Sequence, residues 1–283
     1  MRRLVRNGQI EFVNGGMSST DEACPTYDLM INNLFEARRF IALEFGEDTA
    51  DNMLKTGWQL DPFGHSKTYA KLISEIGYES LFFAREDQVD KNNRTLHRQL
   101  EFMWQASDYT LPIYTHIFKH HYSSPNAFDP VHNRPGPLVG DMSSPIYNGR
   151  QVMEGFVKYL ESYVMAYNSN NILVIFGDDF GWENAQFGYW NIDVMIEEFR
   201  RANASNFKFS KQEHTFELKY STPNRFVRAV KAEHQGVNML EWFRGDFFPY
   251  IDESNLQWTG YFSSRPNFKR MVRQLTEHYY AAS

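Results

Sequence analysis

The sequence predicts an α/β fold with parallel strands joined by crossover helices, and three observations carry that reading. Short apolar runs suited to buried strands recur along the chain, bounded by Gly, Pro or Asp. Between them lie stretches whose apolar residues return at helical spacing. The two kinds alternate, which favours parallel pairing, because a parallel connection needs a crossover of about a dozen residues or more and a helix usually supplies it.

Residues 9–14 read as a first short strand, with Ile10, Phe12 and Val13 apolar, ended by Gly15-Gly16. Over residues 27–45, Leu29, Ile31, Leu34, Ala37, Ile41 and Leu43 recur near helical spacing, and Gly46 closes the helix. Residues 57–60 form a second strand that runs into Asp61-Pro62-Phe63-Gly64. Ser66 then caps a helix ending near Ile76, with Gly77 as its stop. Residues 81–84 and 172–176 are further buried strands, the latter running into Gly177-Asp178-Asp179. A helix over 191–201, a strand over 207–210 and a helix over 223–233 continue the alternation. Residues 123–145, with Pro135-Gly136-Pro137 inside, make a connection too long to be idle in a compact domain, so it is a substrate-binding loop or disordered. The character changes near the end: residues 245–266 are aromatic and loop-like, and 267–281 read as one long helix. The expected division is an α/β unit over 1–240 and the opening of a helical unit over 241–283.

The 283 residues, 42% of them hydrophobic, suffice for a sizeable core. A net charge of −6 with scattered Lys and Arg gives no footprint for phosphate backbones, so nucleic acid is not an expected partner. No unbroken apolar run is longer than 172–176, far short of a membrane span, and the N-terminus lacks the pattern of a signal peptide. Neither a membrane nor a leader is expected. Cys24 stands alone, which excludes an internal disulfide and leaves any metal to His and carboxylates. Two sequons, at Asn93 and Asn203, would be glycan acceptors in a secretory pathway.

In parallel sheets and barrels chemistry gathers at the carboxyl ends of strands. Asp61, Arg85 and Asp179 all take such places. Asp61, locked by Pro62 and flanked by Trp58 and Phe63, suits a glycosyl nucleophile or a metal ligand held in an aromatic wall, and equally a turn or helix-capping Asp. Neighbours in an extended chain face opposite ways, so one of Asp178 and Asp179 faces the site and the other is structural. Two carboxylates on one rim are what glycoside hydrolysis requires, with retention at about 5–5.5 Å separation and inversion at about 6.5–9.5 Å. His116, His120 and His121 share one stretch without the spacing of a zinc helix, and His65 is read as an orienting or packing histidine that could also be a ligand.

Taken together the motifs resemble the class II α-mannosidases of glycoside hydrolase family 38, and within it the lysosomal acid branch. The resemblance runs in order through residues 8–16, Asp21-Glu22-Ala23, Asp61-Pro62-Phe63-Gly64-His65-Ser66, residues 177–180 with Glu183-Asn184-Ala185, Tyr220-Ser221-Thr222-Pro223, Asp246-Phe247-Phe248-Pro249-Tyr250 and residues 258–266. It covers nearly the whole chain.

The resemblance implies an incomplete (β/α)7-type barrel followed by the start of a helical bundle. By it Asp61 is the nucleophile and a zinc ligand, Asp179 the acid/base, Asp178 its dispensable neighbour, and Arg85 a cation beside the nucleophile. Trp58, Phe63 and Tyr122 are expected to line the substrate. Zn2+ is the implied cofactor, and terminal α-linked mannose on N-glycan-type oligosaccharides is the implied substrate. A lysosomal or other acidic compartment follows from the same likeness. The family's zinc site also needs a His-x-Asp pair before this stretch and a further His after it, so the other zinc ligands, and the rest of a parent polypeptide, are expected outside the chain. Two other classes are carried forward: a polysaccharide deacetylase, which requires an Asp and two His on one metal, and a non-catalytic segment that only binds sugar.

Overall fold

A computed structural model describes residues 1–282 apart from 127, 135, 210, 211, 235–239 and 254. After a short helix, α1 (Arg2–Arg6), come α2 (Tyr27–Phe45), ended by Gly46 at φ +98°, and α3 (Glu47–Met53). Strand β1 (Thr56–Gln59) leads into α4 (Lys67–Ile76), where the Ser66 hydroxyl accepts the Thr68 N–H at 3.0 Å and Gly77 closes the helix in the left-handed region. Then follow β2 (Ser80–Phe83), α5 (Gln88–His97), β3 (Glu101–Trp104) and β4 (Ile113–Ile117). The second half holds α6 (Gly149–Val164), α7 (Ala185–Ala204), α8 (Pro223–Glu233), β5 (Trp242–Phe243) and α9 (Pro266–Ala282).

The five strands among the described residues form one sheet in the order β1-β2-β4-β3-β5. β1, β2 and β4 run parallel, with Gln59 opposite Phe83 and Phe83 opposite Ile117. β3 runs antiparallel to β4 and parallel to β5. Side chains alternate across this sheet. Leu81, Phe83, Phe102 and Trp104 pack on one face with residues of α2 and α4, while Phe82, Met103, Tyr114 and Phe118 pack on the other with Phe226, Val227 and Val230 of α8. A third cluster joins α6 to α7 through Phe156, Leu160, Ile192, Met195 and Phe199.

Several expectations need correction. The strands are not all parallel: only eight residues join β3 to β4, too few for a crossover helix, so the pair closes as a hairpin. The sheet is open among the described residues, with β1 and β5 at its two edges and no closed barrel. Residues 9–14 do not form a strand. Asn14 turns at φ +60° and meets β1 through its backbone N–H on Thr56 O (2.8 Å) and through its side chain at the Trp58 N–H (3.2 Å) and at Gln59 Oε1 (3.1 Å), without forming a ladder. Residues 172–176 alternate between two apolar clusters without strand pairing, and 207–209 pair with no strand either; Ser210, like Pro135, lies outside the described residues. The helix expected over 191–201 begins six residues earlier, because Asn184 accepts the Phe187 N–H at 3.3 Å and caps it. β3, β4, α5 and α6 had not been expected. The terminal helix forms as expected, yet α9 buries none of its residues, and Phe268, Met271, Val272, Leu275 and Tyr279 are exposed.

Candidate active site

Register explains how the first two functional side chains meet. Gln59 lies opposite Phe83 in a parallel pair, so the residues two positions further on, Asp61 and Arg85, leave the sheet side by side. Arg85 Nε donates to Asp61 Oδ1 at 2.6 Å, and Nη2 lies 2.5 Å from the same oxygen. The guanidinium is nearly buried and the carboxylate is half exposed, so a shielded cation holds an anion that faces the rim.

Arg85 is itself held on every side. Its Nη1 donates to the Tyr250 hydroxyl at 3.2 Å, and its Cζ lies 5.2 Å from the Phe63 ring centroid, 5.6 Å from Tyr250 and 5.6 Å from Trp258. Burial works against its charge, but the bonds to Tyr250 and Asp61 outweigh burial and raise its pKa, so the cation is permanent. Behind it, α5 grips the chain on both sides of Arg85. Lys91, pushed down to about 8 by burial, donates to Ala84 O at 2.7 Å, and Arg94 pairs with Glu86 at 2.9 Å.

Tyr122 connects this group to the second carboxylate. Its hydroxyl donates to Asp179 Oδ1 at 3.4 Å, and its ring centroid lies 6.0 Å from Arg85 Cζ. Burial raises the pKa of the phenol, and the negative charges of Asp61 and then Asp179 raise it further, so one hydroxyl senses both carboxylates. Asp179 follows the unpaired stretch 172–177. Asp178 accepts the Asp179 N–H at 2.8 Å, and His132, bonded through Nδ1 to Asp129 at 2.8 Å, reaches Asp179 O at 3.4 Å. The turn that follows places two bulky residues in the left-handed region, Phe180 at φ +55° and Trp182 at φ +66°.

The structure therefore brings Asp61, Arg85, Phe63, Tyr122 and Asp179 together. Trp58, three residues before Asp61, has its ring against Phe82 (5.4 Å) and Phe118 (5.6 Å), in the cluster on which Tyr122 also packs. Tyr250 and Trp258 were recognised as parts of motifs but not as site residues. Tyr250 lies 165 positions from Arg85, and no local pattern announces that contact.

The donors present do not make a metal centre. Asp61 Oδ1 is taken by Arg85, His65 Nδ1 faces Glu22, His116 Nδ1 faces Glu101, and no group of three or more His, Cys, Asp or Glu able to hold a metal ion exists among the described residues.

Comparison with known proteins supplies the name for this arrangement. Residues 1–253 match the family model described as glycosyl hydrolases family 38 N-terminal domain. The chain belongs to glycosyl hydrolase family 38. Its family 38 relatives include an α-mannosidase of Arabidopsis thaliana, 36% identical over the whole of this chain and 26% of the relative. The lysosomal α-mannosidase of Homo sapiens is 34% identical over 96% of this chain and 26% of its own length. That of Dictyostelium discoideum is 34% identical over 97% of this chain and 26% of its own. The chain thus spans about a quarter of the length of the relatives it matches. A solved α-mannosidase from Enterococcus faecalis shares the fold with a TM-score of 0.59 at 12% identity, over 87% of this chain and 23% of that one.

Proposed function

We propose that this family 38 chain carries the carboxylate pair of a retaining α-mannosidase, with Asp61 as nucleophile and Asp179 as acid/base, acting on terminal α-linked mannose of N-glycan-type oligosaccharides. The observation that carries the reading is the line of contacts from Asp61 through Arg85 and Tyr122 to Asp179. In the first step Asp179 gives its proton to the leaving glycosidic oxygen while Asp61 attacks the anomeric carbon, and a glycosyl ester forms. In the second, Asp179 takes a proton from water, the water oxygen attacks the same carbon, and the ester bond to Asp61 breaks. Arg85 pairs with Asp61 Oδ1 and fixes the direction of the carboxylate, while Phe63, Tyr250 and Trp258 form an apolar wall suited to the C–H face of a sugar ring.

The Zn2+ implied by the resemblance does not fit the donors present beyond Asp61, so no step is routed through it. The remaining ligands belong to the rest of a longer polypeptide, the partner that this reading requires. The exposed apolar stripe on α9 is where that remainder would pack, as the start of a helical domain, while β5 and Phe247 within the 241–283 segment still belong to the sheet and its core. The compartment is read as lysosomal or otherwise acidic from the named relatives.

Zinc titration together with release of nitrophenol from an aryl α-mannoside tests this division. The chain by itself is expected to bind zinc weakly and to turn over little. The polypeptide completed on both sides is expected to hydrolyse the mannoside and to lose activity at least a thousandfold with Asp61→Asn. Full activity of that variant would refute the assignment. The non-catalytic reading is favoured by the missing metal donors, and an inactive completed polypeptide that still binds mannose would establish it. The deacetylase reading lacks its Asp and two His on one metal among the described residues.

A further inference from the structure

Glu22 lies about forty positions upstream of the Asp61 turn, and the mechanism above makes no use of it. Its side chain is fully buried. Oε1 takes a hydrogen bond from Gln59 Nε2 at 3.1 Å and from His65 Nδ1 at 2.9 Å, and Oε2 takes the Ser66 backbone N–H at 2.6 Å. Gln59 precedes Asp61 by two residues, and His65 and Ser66 follow it by four and five. One carboxylate therefore grips the chain on both sides of Asp61.

The grip is extended by the rest of the turn. His65 is fully buried, its ring is stacked on Phe83 at 4.1 Å, and its backbone exchanges two hydrogen bonds of 3.1 Å with Phe247. A carboxylate oxygen only accepts, so His65 Nδ1 is the donor in this bond. Asp61 itself is half exposed with its side chain held by Arg85, and the turn after it is also tied by the Tyr261 hydroxyl, which donates to Phe63 O at 3.2 Å. A buried carboxylate is costly unless each oxygen is bonded, and here both are, by three donors from the segment that carries the nucleophile.

We infer that Glu22, acting through His65, Gln59 and Ser66, is a positioning residue that fixes the Asp61 turn against Arg85. The inference rests on the reading of Asp61 as nucleophile only for its consequence, since the clamp is a matter of geometry. Glu22→Gln breaks it in either amide orientation, because the new NH2 group must face an existing donor, Gln59 Nε2 on one side or the Ser66 N–H on the other. His65→Asn keeps a side-chain N–H near the place of Nδ1, whereas His65→Leu removes it.

The test combines hydrogen exchange with calorimetric binding of a mannose-configured iminosugar, whose protonated ring nitrogen seeks the carboxylates. Glu22→Gln and His65→Leu are expected to speed amide exchange over residues 59–66 at least tenfold, with β3 and β4 unchanged, and to weaken the iminosugar at least tenfold. His65→Asn is expected to retain both within about threefold. Wild-type exchange in Glu22→Gln, loosening spread evenly over the sheet, or identical behaviour of the two His65 variants would each overturn the inference. If Asp61→Asn binds the iminosugar as the wild type does, the nucleophile reading fails, while the exchange data still decide whether the clamp exists.

Discussion

Asp61 and Asp179 rest on unlike supports. Asp61 ends a strand that shares four register pairs with β2, and its turn is bonded to Glu22, Phe247 and Arg85. Asp179 ends a stretch that has no ladder. There Leu173 and Ile175 pack toward the sheet cluster, Val174 and Phe176 pack toward the cluster of α6 and α7, and the backbone is tied by the Ser124 N–H on Gly177 O (2.9 Å) and by Trp182 Nε1 on Phe176 O (2.8 Å). Alternating apolar side chains are enough to sandwich a strand-like segment between two cores. Both sides have hydrogen bonds, but only the Asp61 side adds the register of a paired strand and an ion pair to its carboxylate.

The largest effect that could break this contrast comes from deleting one Phe ring on each side. Phe83 is fully buried against His65, Trp104 and Phe247, so Phe83→Ala should cost about 3–5 kcal/mol in urea unfolding. Phe176 is half-buried beside Phe128 and Phe156, and Phe176→Ala should cost about half as much. Equal losses would remove the contrast.

Next comes the turn itself. Gly64 sits at φ +100°, and an added Cβ would lie 2.4 Å from the Phe248 ring and 3.0 Å from Phe247 O. Gly64→Ala should therefore destabilise by roughly 2–3 kcal/mol and loosen the Asp61 turn, while Gly177→Ala, which meets no atom within 4 Å, should be nearly neutral in the same measurement. Native-state hydrogen exchange sharpens the comparison further: amides of β1 and β2 should exchange about a hundredfold more slowly than those of 173–176.

The smallest effect is a pH dependence. Burial, with Lys119 and Lys91 nearby, lowers the pKa of His120, and burial, with Arg85 and Lys91, lowers that of His121. Below about 6.5 the unfolded chain takes these protons before the folded one does, so stability falls as pH drops from 6.5 through the folded values. Replacing both by Gln should flatten that slope between pH 7 and pH 5, as read by thermal melts.

Much of the first support was legible in the sequence, and little of the second. α2, α4 and α8 begin and end where their caps say, because Ser66, Gly46, Gly77 and Pro223 act locally. Residues 172–176 have the composition of a buried strand, but composition fixes which way side chains point and not whether a neighbour arrives to pair. β3 escaped notice because its apolar run is only three residues long and starts from a charged one, Glu101, and only the fold reveals that Tyr114 (2.7 Å) and His116 (2.9 Å) both bond Oε1 of that carboxylate. Asp61, Arg85 and Asp179 could be picked as strand ends, whereas Glu22 and Tyr250 act across distances in sequence that periodicity does not span.

The most direct test of the whole account is to trap the reaction on the completed polypeptide with a 2-deoxy-2-fluoro-α-mannosyl fluoride and to map the adduct by peptide mass spectrometry. The account requires one fluoromannosyl group, esterified to Asp61 and absent from Asp61→Asn. An adduct on another residue, or labelling of Asp61→Asn to the wild-type extent, would contradict it.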